Sequence, residues 1–150
     1  VSAASYDSNY MLVRSEEKKV TQDDPYAQGL CDVINLYSYY KMSTSDLIKK
    51  GHETINLKIT FEGKEVDDGY QEIWIFDTGY ETNPDNALAK KTDIELTRGK
   101  IQKYYTTVEE VFTLKLKDIS YDYVVIRWSA HGEGNDDWYC QNVRVYFEII

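Results

Sequence analysis

The sequence predicts an all-β chain, an antiparallel β-sandwich with one short connecting helix near residues 44–50. Three observations carry that prediction. Apolar residues recur at every second position in several stretches, most clearly Ile55, Leu57, Ile59 and Phe61, and such alternation marks a strand with one buried face. Turn-forming residues separate these stretches, as in Asp67-Asp68-Gly69 and the run from Gly132 to Gly134. The strand-helix alternation that a parallel sheet requires is missing.

The elements follow in chain order. Residues 1–28 are polar and of mixed charge, and read as an N-terminal extension with a single candidate edge strand at residues 10–13. The sandwich domain then occupies residues 29–150. Residues 29–40 are apolar and rich in β-formers, which predicts a strand. A hydroxyl or Asp within Ser43-Thr44-Ser45-Asp46 caps the short helix, Lys49 and Lys50 fill its last turn, and Gly51 stops it. Alternation from Ile55 to Phe61 predicts the next strand, ended by Gly63. Residues 70–76 predict another whose two faces are both apolar at the centre, so that Trp74 and Phe76 either are covered or line a groove. Residues 78–91 read as a long surface loop and Ile94 and Leu96 as a short strand. Three more strands follow: one through Phe112, Leu114 and Leu116, one at residues 123–129, and a last one through Val143, Val145, Phe147 and Ile149.

Composition excludes several classes of function. Lys and Arg number 17 against 26 Asp and Glu, a net charge of −9, and no basic patch is present to meet a nucleic-acid backbone. No apolar run approaches the roughly 18 residues of a membrane-spanning helix. No Gly-x-Ser-x-Gly nucleophile motif or phosphate-cradling loop occurs, and only His52 and His131 are available as imidazole bases. The expectation is therefore a non-enzyme, with a small glycoside hydrolase using two of the many carboxylates as the competing reading.

Cys31 and Cys140 are too far apart in sequence for a zinc pattern. Two readings stand: a disulfide joining early and late strands, worth about 4–5 kcal/mol in the chain-entropy model, or two buried thiols. The opening Val1-Ser2-Ala3-Ala4-Ser5 resembles the small-residue end of a cleaved signal peptide. With the disulfide, this points to a secreted or cell-surface protein.

The unusual feature is aromatic: 14 Tyr, three Trp and four Phe. Such rings combine an apolar face with a polar tip, which suits sheets and half-wet recognition surfaces alike. The candidates for ligand binding are rings in or beside loops, namely Trp74, Tyr80, Tyr104, Tyr105, Trp138 and Tyr139, with Gln71 as a hydrogen-bonding partner. Oxygen donors cluster in one turn as Glu133, Asn135, Asp136 and Asp137, the best place for a structural calcium ion.

The closing stretch, from Asp136 through Trp138, Tyr139 and Cys140 to Ile149, is an acidic turn leading into a long alternating strand. It resembles the end of extracellular jelly-roll modules, including carbohydrate-binding ones. The resemblance covers about the last tenth of the chain at residue level. It implies a jelly-roll-like sandwich that stacks aromatic rings on sugars and carries a structural calcium. The expected function is a non-catalytic extracellular binding module for a glycan, acting as a monomer. The alternative is a protein-interaction or surface-assembly domain, because the same aromatics are enriched at protein interfaces.

Overall fold

The computed structural model describes residues 12–20, 31–65, 70–77, 81, 83–94, 105–131 and 138–149. Among the described residues, nine strands fall into two antiparallel sheets. They are β1 (Leu12–Arg14), β2 (Lys18–Val20), β3 (Cys31–Asn35), β4 (Thr54–Glu65), β5 (Tyr70–Phe76), β6 (Ala89–Ile94), β7 (Thr106–Lys115), β8 (Tyr123–His131) and β9 (Trp138–Ile149). The first sheet has the order β1-β9-β4-β7, with β2 also pairing β9; the second has the order β3-β8-β5-β6. β1 and β2 lie end to end along β9, so they fill one strand position between them. That leaves eight positions, four in each sheet, with the first and last strands side by side. The strand order is that of a jelly-roll-like β-sandwich.

Period-two patterning decides which side chains meet between the sheets. Ile55, Leu57, Ile59 and Phe61 of β4 turn inward, as do Phe112 and Leu114 of β7 and Val143, Val145 and Phe147 of β9. They meet Ile73 and Ile75 of β5 and Val124, Ile126 and Trp128 of β8. Each fully buried side chain of this size contributes about 1.5–3 kcal/mol. The opposite face of the second sheet holds a smaller cluster of Trp74, Phe76 and Val125, with Ala87 and Tyr123 against it. Both faces of β5 are thus covered. The 3₁₀ turn Pro84–Asn86 brings Ala87 over this cluster, and the amide of Leu88 donates to the Ile75 carbonyl at 2.7 Å.

Among the described residues, two short helices close one end of the sandwich. The predicted strand at residues 29–40 stops at Asn35, because the Asn35 side chain accepts from the amide of Ser38 and starts α1 (Leu36–Tyr40). α2 (Thr44–Lys49) lies where the sequence placed its helix, and the Ser43 hydroxyl accepts from the Asp46 amide. Gly51, at φ +96°, ends it: its amide donates to Ile48 and that of His52 to Leu47. This paired C-terminal hydrogen-bonding pattern fixes the backbone at His52. Asp122 joins the helices to β8, since its carboxylate accepts from the Thr44 amide at 2.7 Å and its carbonyl from the Leu36 amide at 2.7 Å.

The disulfide reading is corrected. Cys140 is buried between the sheets and forms no disulfide. A reductant should therefore leave the thermal unfolding midpoint unchanged, as scanning calorimetry with and without dithiothreitol will read. A fall of many degrees would indicate a crosslink.

Candidate functional site

The outward face of the first sheet is built in rows of residues that lie side by side on β9, β4 and β7, with Tyr105 just ahead of β7. Going along β4, the first row is Tyr139, Lys64 and Tyr105. The second brings Gln141 and Asn142 to Glu62 and Thr107. Then come Arg144, Thr60 and Glu109, followed by Tyr146, Lys58 and Val111. Glu148, Asn56 and Thr113 form the next row, and Thr54 with Lys115 closes the face. The first and fourth rows carry tyrosine rings, and rows of hydrogen-bonding and charged side chains lie between and beyond them.

Side-chain contacts within and between the rows hold the face in place. The Lys64 ammonium sits between two tyrosines, 4.9 Å from the Tyr105 ring centre and 5.2 Å from that of Tyr139, and pairs with Glu17 at 3.0 Å. The Glu62 carboxylate accepts from the side-chain amides of Gln141 at 2.9 Å and Asn142 at 3.1 Å. Lys58 lies 4.9 Å from the Tyr146 ring centre and 3.6 Å from Glu109. Asn56 donates to Glu148 at 3.1 Å and accepts from the Thr113 hydroxyl at 2.8 Å. The polar groups are therefore oriented in advance, which lowers the entropy a ligand must surrender.

A β-bulge sets this arrangement. Between Thr60 and Glu62 the chain of β4 advances two residues while β9 passes from Arg144 to Gln141, and Asn142 takes the left-handed conformation at φ 52°. Asparagine tolerates that conformation better than other residues with a Cβ. The extra residue reverses the inward-outward order of β9, so Trp138 and Cys140 turn into the core with Val143, while Tyr139, Gln141 and Asn142 face outward with Tyr146. Asn142→Ala should cost about 1–2 kcal/mol, through backbone strain and the lost bond to Glu62. Denaturant unfolding will measure this, and Asn142→Gly should recover part of it.

The sequence-derived candidates divide. Tyr105 and Tyr139 are brought together across Lys64. Trp138 is fully buried, with its ring centre 5.5 Å from that of Phe61. Trp74 and Gln71 are also buried. Tyr80, Tyr104, Glu133, Asn135, Asp136 and Asp137 lie outside the described residues, and so does the calcium expectation that rested on the last four. Among the described residues, no three His, Cys, Asp or Glu side chains gather in a group suited to a metal ion. Sequence reading did not single out Glu62, Lys64, Asn142 or Tyr146. The one signal for them was an asparagine, a residue suited to a bulge, between Gln141 and Val143.

A second surface stands apart from this face. Val33 and Tyr121 are each 61% exposed, and the Tyr121 ring stacks on that of Tyr123 at 6.0 Å with 24° between planes. Tyr37, 51% exposed, follows Leu36, whose amide is bonded to Asp122 beside Tyr121.

No protein-family model matches this sequence, and no curated protein matches it. Solved structures with a similar backbone include the VP2 subviral particle of infectious bursal disease virus, at a TM-score of 0.47 and 10% identity over 93% of this chain. This chain covers 32% of that one. The coat protein of Tobacco streak virus is similar at a TM-score of 0.37 and 13% identity, over 93% of this chain and 85% of that one. The K3 cleaved adhesin domain of Lys-gingipain from Porphyromonas gingivalis is similar at 0.36 and 11% identity, over 91% and 72% of the two chains.

Proposed function

We propose that the domain is a non-catalytic binding module of a secreted or cell-surface protein, and that a carbohydrate chain lies along β4 on the outward face of the first sheet. One observation carries this reading. Tyrosine rings stand at two rows of the face, Tyr139 and Tyr105 beside Lys64 and Tyr146 beside Lys58. Fixed amides and a carboxylate lie between them. Six residues of strand separate the two rows, about 20 Å, enough for several pyranose rings. A sugar ring has an apolar face to lay on tyrosine and hydroxyls to bond Gln141, Asn142, Glu62 and Arg144. Sites that mix aromatic faces with a few oriented polar groups have this general form. Affinity electrophoresis and glycan arrays covering plant, host and microbial polysaccharides test the reading. Retention by at least one polysaccharide is expected, and no retention by any would contradict it.

The second reading is a protein-interaction or surface-assembly domain. The exposed Tyr37 and the exposed Tyr121 stacked on Tyr123 favour it, because tyrosine is enriched at protein interfaces. Under that reading Tyr121→Ala removes a partner or an assembled state, as light scattering would record, and leaves polysaccharide retention intact.

A further inference from the structure

The last row of the face borders a cavity. Thr54 and Lys115 pair across β4 and β7, and both also line a cavity of about 350 Å³ at that end of the sandwich. The other walls are Ile48 of α2, His52 and Glu53 from the turn into β4, and Lys117. A volume of this order lies within the range of small-ligand sites. The walls are anchored: the His52 amide is bonded to Leu47, and the Leu116 amide donates to the Glu53 carbonyl at 3.0 Å.

The charge of the cavity opposes that of the whole chain. Two lysines and a histidine face one carboxylate, that of Glu53, in a chain of net charge −9. Glu148, in the adjoining row, is 7% exposed; its Oε1 accepts from Asn56, and its Oε2 has no hydrogen-bond partner among the described residues. An anion entering the cavity meets Lys115 and Lys117, while Ile48 offers an apolar wall to the body that carries it. We infer that the cavity receives an anionic sugar residue, bearing a carboxylate or a sulfate ester, from the chain bound along β4. The ligand of the module is then an acidic polysaccharide. This inference rests on the carbohydrate reading of the face and adds the charge of the ligand to it.

Glucose, glucuronate and glucose 6-sulfate, titrated into the ¹⁵N-labelled domain, separate the charge from the ring. Both anions should shift the amide signals of His52, Thr54, Lys115 and Lys117, at least tenfold more tightly than glucose. Added salt should weaken the effect. The K115A/K117A variant should lose the preference while its thermal unfolding midpoint stays unchanged. A response to only one anion would still support the inference and would identify the group that is read. Glucose binding as tightly as the anions, or no shift at these residues with any of the three, would overturn it. Cavity shifts with the anions but no polysaccharide retained would refute the carbohydrate face and leave the anion site standing. A retained polysaccharide with a silent cavity would refute the anion site alone.

Discussion

Trp138→Ala should destabilise the domain by about 3–5 kcal/mol, the usual cost of deleting a buried aromatic side chain. Trp138 has no exposed surface, and its ring packs against Phe61 at 5.5 Å in the layer between the sheets. Its neighbours Cys140 and Val143 are buried as well, so the space cannot fill without moving β9 against β4. A loss of this size is a large part of the 5–15 kcal/mol that holds an ordinary domain together. It should lower the thermal midpoint by roughly 10–15 °C. Trp138→Phe should cost much less, since the buried indole nitrogen makes no hydrogen bond that the change would remove. If Trp138→Ala instead kept full stability and lost ligand, the ring would belong to a binding surface and the bulge in β9 would be misplaced.

The largest effect on binding is expected from Tyr139→Ala combined with Tyr146→Ala. Both rings face outward and are half-buried, one at each aromatic row. Covering a ring of this kind with a sugar is worth about 1–2 kcal/mol, so each truncation should weaken retention about tenfold and the pair roughly a hundredfold. The same changes remove only the lysine contacts from the folded protein, about 0.5–1 kcal/mol each at such exposed positions. Affinity electrophoresis beside denaturant unfolding separates the two effects. Tyr121→Ala is the matched control on the other surface and should leave retention as it was.

The sandwich was legible where alternation ran uninterrupted. β4 presents one apolar face, and both β4 and β8 lie where the period of two placed them. The pattern misleads where a local backbone event overrides the period. Leu36 and Tyr40 extend an apolar run, but the side chain of Asn35 caps a helix there. The polar residues Lys90, Lys91, Thr92 and Asp93 hid β6, which as an edge strand leaves those positions exposed. In β9, one left-handed residue exchanges the two faces, which is why Trp138 read as available and the role of Tyr146 went unseen. The site was legible only as a list of rings. Tyr105 and Tyr139 were on that list, yet Lys64 between them is visible only once the register of β9, β4 and β7 is known. The same holds for the contacts of Glu62 with Gln141 and Asn142.

Amide chemical-shift mapping of the labelled domain with a retained polysaccharide fragment addresses the central claim most directly. The shifts should follow the outward rows of the first sheet, through Lys64, Glu62, Gln141, Asn142, Arg144 and Tyr146. Shifts confined to Val33, Tyr37 and Tyr121 would contradict it and assign recognition to the other side of the sandwich.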